Sequence, residues 1–115
     1  MDVLVELFDD KKAAVIKIPT RLDASNSQPF KEKMSELVDK GYINLIIDLT
    51  QTNFIDSSGL GALVGKISTC RKNGGDVKLI SPTQRVMEIL QITNLDKILK
   101  VYRSVDDALK SFKTI

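Results

Sequence analysis

Two adjacent serines, Ser57 and Ser58, stand between Asp56 and Gly59-Leu60-Gly61 in the stretch "FIDSSGLGALVGKI", Phe54 to Ile67. A hydroxyl in that setting can attack, cradle a phosphate, cap a helix or receive a group from another protein. Attack needs a base. The chain has no histidine, which removes the proton acceptor of a Ser-His-Asp triad. A nucleophile elbow reads G-x-S-x-G, and Ile55 occupies the first glycine's position. A Walker loop ends in Gly-Lys-Ser/Thr, whereas Gly65-Lys66 is followed by Ile67. Weak anion affinity at a helix start stays open, and with it a weak nucleotide-binding module. Without histidine, the lone Cys70 cannot complete a His/Cys zinc site. No catalytic residue, metal or cofactor is expected.

Capping is the plainest reading. Asp56 or Ser57 can accept from an amide of the first turn, which is worth about 1 kcal/mol. A cap needs one such residue, not Asp-Ser-Ser with two glycines, each costing about 1 kcal/mol against alanine inside a helix. Gly59 and Gly61 leave the turn bare, which suits the close approach of another protein. Tight packing inside the fold would demand the same glycines.

The elements that must hold this turn follow from periodicity. "VLVELF" (Val3–Phe8) and "AAVIKI" (Ala13–Ile18) read as strands around the polar tetrad Asp9–Lys12, an N-terminal hairpin closed by Pro19. A first helix is expected after a cap at Asn26 or Ser27, with Pro29 in its first turn. Phe30, Met34, Leu37 and Val38 form its apolar face, and Gly41 its stop. "YINLIIDL" (Tyr42–Leu49) is a nearly unbroken apolar run, the mark of a strand buried on both faces of a parallel sheet. Leu60, Leu63, Val64 and Ile67 give the second helix its face, and Asn73–Gly75 end it. "DVKLI" (Asp76–Ile80) is the next strand. "SPTQ" then predicts a capping box from Ser81 to Gln84, with Val86, Ile89 and Leu90 facing inward. A short strand, Ile98–Tyr102, and a last helix opened by Ser104–Asp107, with Leu109 and Phe112 inward, complete the order ββ-αβ-αβ-αβ-α. Alternation of this kind predicts an α/β sandwich with four helices on a mixed, mainly parallel sheet.

Composition bounds the function. A chain of 115 residues suits one domain, residues 1–115, and 43% apolar residues suffice for a core. The net charge is +2. Lys11-Lys12, Lys31 with Lys33, and Arg71-Lys72 are scattered and lack interleaved aromatics, so no nucleic-acid stripe forms. No apolar run approaches the about 18 residues of a membrane span, and no charged-then-apolar leader opens the chain. One cysteine and no leader fit a reducing, cytoplasmic setting. Cys70, Met34 and Met87 read as core fillers, and Lys66 with Arg71-Lys72 as a solvated face. Asp48 ends a buried strand as a receiver's phosphoacceptor does, but the hairpin stands where a receiver carries its acidic pair.

The motif and its surroundings resemble the STAS domain, in particular the bacterial anti-sigma factor antagonists. Asp56-Ser57-Ser58-Gly59-Leu60-Gly61 is similar to that family's hexapeptide. Leu22-Asp23, "IIDLT" before the motif and "GGDVKLISPTQRVMEILQITNLDKI" after it agree in order and spacing. One departure is Thr20, with Arg21 beside it, where the family usually carries a glycine two residues before Leu-Asp. The resemblance implies a STAS-like fold and a regulatory protein, not an enzyme. Its partner would be an anti-sigma factor with serine kinase activity, and a serine phosphatase would reverse the modification. Ser57 would be the phosphoacceptor, with Ser58 the second choice. Asp23, Asp56, Ser58, Gly59, Leu60 and Gly61 would form the partner-binding surface of a monomer. Asp23 reads equally as a turn or cap residue. The same family fold would also suit a STAS subunit of another complex, a signalling scaffold or lipid-transport assembly.

Overall fold

The computed structural model describes residues 3–112. Five strands form one sheet in the order β1 (Leu4–Phe8), β2 (Ala13–Lys17), β4 (Asn44–Asp48), β6 (Asp76–Ile80), β7 (Lys100–Tyr102). β1 runs antiparallel to β2, with Leu4 opposite Lys17 and Phe8 opposite Ala13. The other three pairings are parallel. A one-turn 3-10 helix, Asp9–Lys11, closes the hairpin, with Lys12 in the left-handed region at φ +49°. The polar tetrad lies outside the sheet because it has nothing to bury.

Strand alternation assigns each face its helices. Ala14, Ile16, Leu45, Ile47, Val77 and Leu79 point to one side, where α1 (Ser27–Asp39), α2 (Ser57–Val64), α3 (Ile67–Lys72) and α4 (Gln84–Ile92) cover them. Phe30, Met34, Leu37, Leu63, Cys70, Val86 and Leu90 are the helical side of that core. Val15, Ile46 and Ile80 point the other way, against Ala108 and Phe112 of the α5 (Val105–Ser111) end. β4 therefore buries both of its faces, as its unbroken apolar run requires.

Three local expectations shift. The second of the four helical segments is broken at Gly65–Lys66 into α2 and α3, at a residue whose backbone freedom weakens a helix. The first helix does begin after Asn26, but neither Asn26 nor Ser27 caps it. The Asn26 amide turns back, accepting from Asp23 N at 2.8 Å and donating to the Arg21 carbonyl at 2.8 Å. The capping box expected at Ser81 does not form: a simple cap lies two residues later, with Val86 at the third helical position. Thr83 is the cap, its Oγ1 accepting from Val86 N, while Ser81 adopts φ +48° and donates to the Arg103 carbonyl. Proline at the second position left the cap to the residue after it. The stop at Gly41 is as expected, at φ +96°.

A second, two-stranded ladder was not foreseen. β3 (Arg21–Leu22) pairs in parallel with β5 (Phe54–Ile55), Arg21 opposite Phe54 and Leu22 opposite Ile55. Two residues are too short for any period. This ladder carries the chain into the serine turn.

Candidate docking and modification site

β4 ends at Asp48, and the chain crosses through Thr52 before entering β5 and α2. Thr52 is fully buried and its Oγ1 donates to the Pro19 carbonyl at 2.8 Å. Asn53 N donates to the Thr20 carbonyl at 2.9 Å. These bonds, with the β3–β5 ladder, fix the approach to Asp56. Thr20 keeps an ordinary backbone, since the only non-glycine residues at positive φ among those described are Lys12, Ser81 and Asn94.

Asp56 is the N-cap of α2. One carboxylate oxygen accepts from Gly59 N at 2.9 Å, and the other accepts from Ala24 N at 3.1 Å. The carboxylate thus occupies the anion position of its own helix and ties the loop after β3 to it. A phosphate cradle over Gly59 would have to displace that carboxylate and meet its charge. The structure therefore gives no support to the nucleotide reading. Asp48 likewise caps a turn, accepting from Thr50 N and Oγ1.

Ser57 is exposed and Ser58 half-buried. Among the described residues, neither hydroxyl makes a hydrogen bond, whereas Ser25, Ser81, Thr83 and Ser104 all commit theirs to the chain. Leu60 is half-buried against the core and Gly61 is exposed.

The two glycines part company. A Cβ at Gly61 would meet nothing within 4 Å, so its bare backbone faces outward. A Cβ at Gly59 would lie 2.3 Å from the Leu22 carbonyl oxygen and 2.8 Å from Ile55 Cγ2. Gly59 is fully packed, and it is glycine so that α2 can close on the β3–β5 ladder. Packing inside the fold, the other reading its sequence allowed, accounts for this glycine.

Asp23 builds the neighbouring loop. Its carboxylate accepts from Ser25 N, Ser25 Oγ and Arg21 Nε. The Ser25 hydrogen bonds are the main reason its pKa falls below the ordinary aspartate value, with Arg21 adding to them. It is a turn former at the edge of the site. Sequence reasoning missed Ala24, whose amide reaches Asp56, and the stacking of Arg21 over Phe54, guanidinium carbon to ring centroid 4.4 Å. The Arg21–Asp23 spacing was the one local signal available for that loop.

Away from the turn, Cys70 is fully buried, and burial first, then the Asp76 charge, pushes its thiol up to about 11. Met34 is buried and Met87 packs at the core's edge. Arg71 is held by Asp76 at 2.9 Å and the Ile98 carbonyl at 2.9 Å, so the expected solvated face is pinned at one point.

Fold and site together define a mixed-sheet α/β domain that presents a free hydroxyl on a rigid strand-to-helix turn. The chain belongs to the STAS domain family, whose model matches residues 6–108. A Thermotoga maritima protein provisionally named an anti-sigma factor antagonist is 33% identical over 110 residues, 94% of this chain and 95% of that one. The anti-sigma-B factor antagonist of Bacillus subtilis is 28% identical over 101 residues, 88% of this chain and 92% of its own. The unphosphorylated form of the anti-sigma factor antagonist SpoIIAA shares the fold. It has a TM-score of 0.81 at 21% identity, over 95% of this chain and 94% of that one. A Bacillus SpoIIAA in its phosphorylated form matches at 0.73 and 20% identity, over 95% and 97%.

Proposed function

We propose that this chain is an anti-sigma factor antagonist whose unphosphorylated form binds an anti-sigma factor with serine kinase activity and so releases a sigma factor. Phosphorylation of Ser57 ends that binding, and a serine phosphatase restores it. The chain is the kinase's substrate and not itself an enzyme, and it acts as a cytoplasmic monomer. The observation that carries the reading is the exposed Ser57 hydroxyl at the start of α2, which makes no hydrogen bond among the described residues. The names of the Thermotoga and Bacillus relatives support the partner class.

Physical chemistry explains why modification would act on binding and not on folding. Phosphate adds about −1.5 to −2 charge. At an exposed helix N-terminus that charge is favourable by roughly 0.3–1 kcal/mol. Against a partner the same dianion must lose its water, beside the carboxylate of Asp56, which costs several kcal/mol unless a cation meets it. The switch is local electrostatics on a constant scaffold.

The test mixes the purified chain with ATP and each kinase-type anti-sigma factor of its genome, followed by binding measurement and phosphosite mapping. The expected result is binding, then phosphate on Ser57. Ser57→Ala should bind and resist labelling. Ser57→Asp should bind more weakly with an unchanged Tm. Full-rate labelling of Ser57→Ala would move the acceptor to Ser58 or elsewhere. Failure to bind any such anti-sigma factor would overturn the reading.

A further inference from the structure

The serine turn engages its flanking acids with the chain's own donors and leaves the end of one cation open. Asp23 and Asp56 flank the site, yet both carboxylates are directed at the chain's own donors. Asp56 holds Gly59 N and Ala24 N, and Asp23 holds Ser25 and Arg21 Nε. The Asp23 side chain is only 15% exposed, whereas that of Arg21 is 61% exposed.

Arg21 is also held in place. Its guanidinium stacks on Phe54, Nε donates to Asp23 at 3.1 Å, and its backbone lies opposite Phe54 in the ladder that leads into Asp56 and Ser57. Among the described residues, its two terminal amino groups make no hydrogen bond. A stacked guanidinium with a free planar end is pre-organised for a carboxylate. Holding it there reduces the rotamer entropy lost on binding.

We infer that Arg21 is a specificity-determining residue of the docking face, selecting a partner protein that places an Asp or Glu carboxylate opposite it. The inference rests on the proposed antagonist function and deepens it. The open end of Arg21 offers that carboxylate a positive contact before modification, and the dianion that modification adds at Ser57 repels it. The attraction acts on encounter as well as on the bound state.

The experiment measures binding of unphosphorylated wild type, Arg21→Gln and Arg21→Glu to the anti-sigma factor that binds the wild type, at low and high NaCl. Arg21→Glu is expected to bind about tenfold more weakly, and Arg21→Gln to lie between it and the wild type. Added salt should weaken the wild type most and flatten the difference among the three. Arg21→Gln removes the charge without setting a glutamate against Asp23, so an effect shared by both variants, with Tm retained, is not a folding defect. Both variants binding within twofold of the wild type would overturn the inference and leave the antagonist reading standing. Loss of wild-type binding to every anti-sigma factor would overturn the antagonist reading itself, and this inference with it.

Discussion

Two strand-to-helix turns lie side by side in this fold and treat their hydroxyls in opposite ways. After β6, Ser81 donates to the Arg103 carbonyl, and Thr83 both caps α4 and donates to the Thr52 carbonyl at 2.9 Å. After β5, the cap is a carboxylate, Asp56, and the two hydroxyls that follow it make no hydrogen bond among the described residues. The first turn uses its hydroxyl groups to hold the molecule together. The second delegates that work to Asp56, Gly59 and the β3–β5 ladder, so that Ser57 can change its chemistry without disturbing the fold. The neighbouring turn supplies a control from the same chain. In that turn the cap hydroxyl is put to structural use, whereas at α2 the carboxylate of Asp56 does that work and Ser57 is released from it.

The contrast breaks most sharply at Gly59. Gly59→Ala should destabilise by about 2–3 kcal/mol, because its Cβ would collide with the Leu22 carbonyl, which as backbone cannot swing away. Urea denaturation of the variant measures this, and a stability equal to the parent's would show that α2 can back away from the ladder. Next comes the pair of hydroxyls. Thr83→Ala should cost about 1–2 kcal/mol, since it removes a cap and a tie to Thr52, whereas Ser57→Ala should lie within about 0.5 kcal/mol of the parent. Equal losses in the same unfolding assay would erase the distinction between the two turns. Gly61→Ala sharpens the comparison from the other side. The open site should accept the methyl group and gain roughly 0.5–1 kcal/mol of stability, while partner binding weakens.

The smallest effect concerns pH. Asp23 has its pKa lowered in the folded state by Ser25 and Arg21. A lowered carboxyl pKa stabilises the fold above the unfolded value, near about 3.9, and that contribution is lost as pH falls through the folded value. An NMR titration should find the Asp23 carboxyl still charged where an ordinary aspartate is half protonated. Titration at the ordinary value would mean that the Ser25 turn is not formed in solution.

Periodic elements were legible because their signal is local. The apolar run of Ala13–Lys17, the double burial of "NLIID" and the Phe30-Met34-Leu37 stripe each report what an element hides. The turn residues were less legible. Ser81-Pro82-Thr83 offers two hydroxyls that could cap, and only the path of the chain after β6 selects Thr83. Asn26 looks like a cap in sequence but serves the Arg21–Asp23 loop. Gly59 and Gly61 look alike two residues apart, yet one packs against Leu22 and the other faces open space.

By itself the chain determined its strand and helix order, its lack of a histidine-based active site and the pairing of Ser57 with an adjacent acid. Those properties depend on residue type and on neighbours within a few positions. Only the tertiary structure decided that Asp56 reaches Ala24, 32 residues away. It also decided that the flanking carboxylates bond the chain's own donors, and that Arg21 and Ser57 are exposed. Such contacts join segments with no shared period, so their geometry exists only once the sheet has brought β3 and β5 together.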